Sequence, residues 1–168
     1  LGKGGRGYYA LDVTDPDNPK GLWEICSDSS LCANNDSDMG YSFGPAVITK
    51  RASDGKWVVI VSSGYNNVSP GNGKGYIYVL DAMTGAILRK VTTNVGSIAT
   101  PSGVGKMAGY ALNPVVNNTS VYVYGGDLLG NLWRFDLQVD PPVVKHIADL
   151  KDAGGKPQSV TAKPEITV

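Results

Sequence analysis

The sequence predicts an all-β fold, and three observations carry that expectation. Among 168 residues there are 22 glycines and 10 prolines while only 18% are charged, the profile of many turns joining short strands. Helix signals are nearly absent, because no stretch of a dozen residues carries an apolar stripe at i, i+3, i+4 and i+7. Strongly β-forming runs such as Tyr122 to Tyr124 and Leu132 to Phe135 flank bends rich in Asp and Gly.

The elements follow a repeat. Three segments join an aromatic-rich strand, a Leu-Asp or Phe-Asp step, a turn and a second strand: "GYYALDVTDPDNPKGLWEI" from Gly7, "GYIYVLDAMTGAILRKV" from Gly75 and "GNLWRFDLQVDPPVVKHIADL" from Gly130. The anchoring aspartates are Asp12, Asp81 and Asp136, spaced more widely than the roughly 40–45 residues of the tightest propeller blades. Longer loops account for the difference. An Asp at this point accepts hydrogen bonds from backbone N–H groups of the turn that follows. Asp127, Gly130 and Asn131 form a related turn, and Trp133 and Phe135, two residues apart, share one face of the strand beyond it. Arg134 is a charge among aromatics; it reads as a structural ion pair with Asp127 or Asp136, or as a stacking partner for a neighbouring ring.

Further strands lie between the anchors. "GPAVITK" and "KWVVIVSSG" flank Asp54-Gly55, a hairpin turn signal, and "GYALNPVV" and "SVYVYGG" flank "NNT". Assembly gives four-stranded antiparallel units. A half blade spans about 7–26, an insertion loop 26–40, one full blade about 41–93 and another about 108–150. "SVTAKPEITV" reads as the first strand of a further blade, about 158–168. Small sheets that each need a neighbour describe a β-propeller. Because a ring closes with about four to eight blades, this one is incomplete, and its open edges predict self-association. The chain opens on Leu1 rather than Met and reads as a fragment of a longer protein.

Charge excludes some functions. With 15 basic and 15 acidic residues, no net field steers the chain toward nucleic acid or an anionic membrane. No apolar run approaches the ~20 residues needed to cross a bilayer, so membrane insertion is not expected. Cys26 and Cys32, the two cysteines, are close enough to clip their polar loop as a disulfide, a gain of roughly 2 kcal/mol and a sign of an extracytoplasmic location. Two free thiols in the cytosol are the alternative. In "NNDSDMG", Asn34, Asp36 and Asp38 follow the alternating oxygen spacing of calcium loops, although Met39 stands where such loops place Gly and no downstream Glu completes the set. The plain reading is a solvated loop. His146, with no Ser or Cys nucleophile nearby, reads as a surface residue, and "GNGKGYIY" opens onto a strand rather than a helix, so it is a loop and not a phosphate cradle.

Taken together, "GRGYYALDVTDP", "GYIYVLDAMTG" and especially "GGDLLGNLWRFDL" resemble the C-terminal propeller of the PilC/PilY-type type IV pilus proteins, with "VSSGYNN" and "ATPSG" in the expected order. The resemblance implies a non-catalytic module at the outer membrane, cell surface or pilus tip of a Gram-negative bacterium. It would support pilus biogenesis and adhesion through contacts with pilin or minor pilins and with host or abiotic surfaces. It also implies a calcium loop of the pattern Asp-x-Asn/Asp-x-Asp-x-x-x-Asp. The matching stretch is "NPVVNNTSV", where Asn113 and Asn117 offer only amide oxygens and Val115 and Val121 occupy ligand positions. That loop reads as degenerate, which leaves no cofactor expected.

"ALDVTDPDNPKGLWE" and "VLDAMTGAILRK" also resemble the tryptophan-docking repeat of quinoprotein dehydrogenases. Trp23 stands near the docking position of the first, and Arg89 and Lys90 replace it in the second. A dehydrogenase fragment that binds pyrroloquinoline quinone is therefore an alternative, as is a generic extracytoplasmic protein-binding propeller. An Asp base, calcium ligands and a quinone-stacking Trp do not assemble within this stretch, so the repeats read as blade architecture.

Overall fold

Eleven strands and no helix make up residues 5–167, the part of the chain that the computed structural model describes. β1 (Gly7–Asp12) and β2 (Lys20–Cys26) form an antiparallel hairpin. The loop after it contributes a two-residue strand, β3 (Asn34–Asn35), parallel to β2. Next come β4 (Val47–Lys50), β5 (Trp57–Ser62), β6 (Tyr76–Asp81) and β7 (Ile87–Thr92), each antiparallel to its neighbour. β8 (Met107–Asn113), β9 (Asn117–Gly126), β10 (Asn131–Asp136) and β11 (Val143–Asp149) form a second up-and-down sheet of four.

Burial explains the different look of these strands in sequence. The first four-stranded sheet lies between the hairpin and the second sheet, so β5 and β6 are buried on both faces and read as near-continuous apolar runs. One face packs Val59, Val61, Tyr78 and Leu80 against Tyr8 and Ile25 of the hairpin and Met39 of the loop. The opposite face packs Val58, Ile60, Ile77 and Val79 against Val104, Met107, Val123, Trp133 and Phe135. Outer sheets have one packed face, and β10 accordingly alternates, with Trp133 and Phe135 buried and Arg134 between them half-buried. Two apolar layers thus hold three stacked sheets.

The two larger sheets also touch at their inner ends. Lys50 pairs with Thr119 in a single parallel step, and the Thr49 hydroxyl donates to the Asn118 carbonyl (2.7 Å) while accepting from the Ser120 amide (2.8 Å).

Two expectations need correction. The segment 158–167 forms no strand, and Val168 lies outside the described residues. Its backbone bonds to turns instead: the Gln158 amide donates to the Leu150 carbonyl (2.8 Å) and the Val160 amide to that of Asp127 (2.9 Å). A strand needs a paired neighbour, and beyond Val160 this segment has none, while Pro164 lacks an N–H to offer one. Of the two readings of Arg134, the ion pair with Asp127 or Asp136 does not form, and the alternative of stacking on a ring does. Its guanidinium lies 4.5 Å from the centre of the Tyr122 ring, on the face away from Trp133, and the acceptor sites of Asp127 are taken by other donors.

Candidate functional site

Each Asp of the repeat closes a turn. Asp12 Oδ1 accepts from the Thr14 amide (2.9 Å) and hydroxyl (2.6 Å), and Asp81 Oδ1 accepts from the amides of Met83 and Thr84, both at 2.9 Å. Asp136 Oδ1 accepts from the Gln138 amide at 3.0 Å. These bonds hold the Asp12 and Asp81 carboxyls below the usual range, through the Thr14 hydroxyl first in one case and the Thr84 amide first in the other. Asp127 differs in being fully buried. Its carboxylate accepts from the amides of Leu129 and Asn131 (both 2.9 Å), from Asn131 Nδ2 (2.8 Å) and from the indole Nε1 of Trp133 (2.9 Å). Gly130, at φ 85°, lets the chain turn tightly enough for these donors to converge.

The hairpin is docked by its tryptophan. Trp23 Nε1 donates to the Ala82 carbonyl (2.9 Å), and its ring lies on Gly85, where a Cβ would come within 2.6 Å of Cδ2. Gly85 is required twice, by this contact and by its φ of 71°. Trp23 therefore serves blade stacking.

The insertion loop carries the densest polar cluster. A disulfide joins Cys26 to Cys32, as expected from their spacing, and the loop beyond it brings Asp36 and Asp38 to one point on the first full blade. Between them sits the ammonium of Lys90, with Nζ 2.7 Å from Asp36 Oδ1 and 2.7 Å from Asp38 Oδ2. The same Nζ lies 4.4 Å from the centre of the Tyr76 ring. Tyr78 donates its hydroxyl to Asp36 (3.1 Å), and Asn72 gives Asp38 its amide (2.8 Å) and Nδ2 (3.1 Å). Burial pushes the Tyr78 hydroxyl well above its ordinary range, and the Asp36 charge adds to the effect. Burial alone would lower the Lys90 pKa, but hydrogen bonds to Asp36 and Asp38 outweigh it and raise the value.

Of the three candidate ligands in this loop, Asp36 and Asp38 converge and Asn34 does not, since its Nδ2 donates to the Thr84 carbonyl (3.1 Å). The pair has the chemistry of a cation site whose cation is a side chain. A calcium ion needs six to eight oxygens at roughly 2.3–2.6 Å and would have to displace Lys90. The loop at Asn113 and Asn117 fits the ion no better. Asn113 Oδ1 accepts from the Val116 amide and so closes the β8–β9 turn, while Asn117 Oδ1 accepts from the Thr119 hydroxyl along β9, so both amide oxygens are engaged within the chain. Val115, between them, is 94% exposed. Among the described residues, no three His, Cys, Asp or Glu side chains are grouped to hold a metal ion. Sequence reasoning missed Lys90, Asn72 and Tyr78 as partners of the loop; the one available signal was the cationic pair Arg89-Lys90 at a tryptophan position.

Two four-stranded antiparallel sheets stacked face to face, with a hairpin sheet docked on the first by a tryptophan against its glycine turn, define a β-propeller with quinoprotein-like blades. A family model described as the PilY1 beta-propeller domain matches residues 1–160, and the chain belongs to that family. In an alignment of 191 positions that covers 99% of this chain, it is 36% identical to the type IV pilus biogenesis factor PilY1 of Pseudomonas aeruginosa. A PilY1 homolog of Xylella fastidiosa is 36% identical over 167 residues, 93% of the chain. The crystal structure of the Pseudomonas aeruginosa PilY1 C-terminal domain matches with a TM-score of 0.82 and 32% identity, over 98% of this chain and 36% of that one. The chain spans 15% of the Pseudomonas relative and 10% of the Xylella relative. None of these matches favours the dehydrogenase alternative.

Proposed function

We propose that this chain is a propeller segment of a type IV pilus biogenesis factor, which supports pilus assembly and surface attachment by binding and not by covalent chemistry. The observation that carries the reading is the 36% identity to a protein of that name, spread over 99% of the chain. The polar clusters agree with it, because each is consumed internally. Asp127 is saturated by turn donors, and Asp36 and Asp38 by Lys90, Tyr78 and Asn72. The Cys26–Cys32 disulfide supports an extracytoplasmic setting, where such bonds persist. Partners on this reading are pilin or minor pilins and the surface to which the cell attaches, with no cofactor taking part.

Deleting the gene and counting surface pili by electron microscopy tests the proposal. Loss of pili, restored by the full-length gene in trans, is the expected result. Normal piliation and normal twitching in the deletion strain would overturn it.

A further inference from the structure

The two seams between stacked sheets are built on the same positions with different chemistry. In the first seam Trp23, cross-strand partner of Ala10, reaches the turn of the next sheet and lies on Gly85, four residues after the turn aspartate Asp81. In the second, the register Val79↔Arg89 gives Arg89 the place of Trp23, just as Val79 and Ala10 each stand two residues before a turn aspartate. Four residues after the next turn aspartate, Asp136, stands Asp140 in place of Gly85. Arg89 and Asp140 meet there as a bidentate pair, Nε to Oδ1 at 2.6 Å and Nη2 to Oδ2 at 2.6 Å. Both members of the docking contact have been exchanged together.

The exchange leaves two marks. A guanidinium does not fill the volume of an indole, and a cavity of about 20 Å³ lies beside Arg89, walled mainly by Val58, Ile60, Val79, Leu137 and Val139. The replacement contact also faces water, with side chains 41% and 31% exposed for Arg89 and Asp140. Among the described residues, Arg51 on the cavity's rim pairs with Asp54 inside one hairpin, and its charge adds a weaker attraction for Asp140 across the seam to the direct contact made by Arg89.

We propose that Arg89 and Asp140 form an ionic clasp that substitutes for tryptophan docking and makes the turn at 137–142 respond to ionic strength, while the Trp23–Gly85 contact of the first seam, remote in sequence from the Lys90 ion pairs with Asp36 and Asp38, does not. At 1 M salt the Debye length falls to about 3 Å, comparable to the separation of the two charged groups, so an exposed pair is weakened but not abolished, whereas an indole on a glycine turn carries no charge to screen. The buried layer of Val58, Ile60, Trp133 and Phe135 holds the sheets together throughout, so the clasp governs the rim alone.

Amide hydrogen exchange read by mass spectrometry tests this on the intact chain at 20 mM and 1 M sodium chloride. Peptides covering 137–142 should exchange about two- to five-fold faster at high salt, and those covering 82–86 should not change. In Asp140→Asn, and in the double variant Arg89→Ala with Asp140→Ala, the salt response of 137–142 should vanish. The double variant Arg89→Trp with Asp140→Gly should restore slow, salt-independent exchange. An equal salt response of the 82–86 and 137–142 peptides would overturn the proposal, as would a response of 137–142 that survives in Asp140→Asn. Asp140→Asn keeps the size and polarity of an exposed turn residue, so it separates loss of the clasp from loss of the fold.

Discussion

Asp127→Ala is the substitution whose consequences follow most directly from geometry. It removes a fully buried carboxylate that accepts from the Leu129 and Asn131 amides, Asn131 Nδ2 and Trp133 Nε1. The Trp133 indole N–H stays buried against Phe135 and loses its partner, which costs about 1–3 kcal/mol. The donors of Leu129 and Asn131 are half-buried and recover part of their loss through water, so the sum is about 3–5 kcal/mol. Domains of this kind have about 5–15 kcal/mol in total, so the loss is severe. With a urea slope of about 2 kcal/mol/M, the unfolding midpoint should fall by roughly 2 M. Asp152→Ala is the control, because Asp152 accepts from Gly154 and Lys156 in similar turn geometry but is exposed. It should cost about 1 kcal/mol or less. Urea unfolding followed by Trp fluorescence reads both. Equal midpoints for Asp127→Ala and the parent would refute the claim that this turn is a buried structural hub.

Lys90→Met leaves Asp36 and Asp38 facing each other without a cation and should lower stability by about 1–3 kcal/mol. Calcium should raise the variant's melting midpoint more than the parent's. Cys26→Ser should lower stability by about 2 kcal/mol; in the parent, two alkylatable thiols should appear in mass spectra only after reduction. Acid dependence follows from the depressed carboxyls of Asp12, Asp81, Asp140 and Asp54, the last pulled to about 2 chiefly by its hydrogen bond with Arg51. Groups with lowered folded values contribute fully above their unfolded pKa of about 3.9 and lose that contribution as pH falls toward the folded value. Melting midpoints should therefore decline between about pH 4 and 2, and a flat profile there would contradict the turn bonds.

What the sequence made legible was local. Strand identity and the Asp-closed turns depend on neighbours a few residues away, and Asp81 with Thr84 or Asp127 with Asn131 announce themselves in a short window. Long-range pairing was not legible. Lys90 reaches Asp38 across 52 residues, and nothing in "NNDSDMG" says that its cation is supplied by the chain itself. For Arg134 the sequence left an ion pair and ring stacking both open, because it shows the charge but not that Tyr122 of the neighbouring strand lies beside it. The tail from Gln158 reads as strand by composition, but pairing is a property of the neighbour, and among the described residues no strand forms a ladder with it.

Stacked blades make one close contact that solution NMR can see directly, the indole of Trp23 against the Gly85 backbone. Ring current should shift a Gly85 Hα resonance strongly upfield, with nuclear Overhauser contacts to the Trp23 ring, and Trp23→Ala should return it to an ordinary position. A Gly85 Hα at its random-coil shift in the intact chain, without contacts to Trp23, would show that the sheets are not docked as propeller blades.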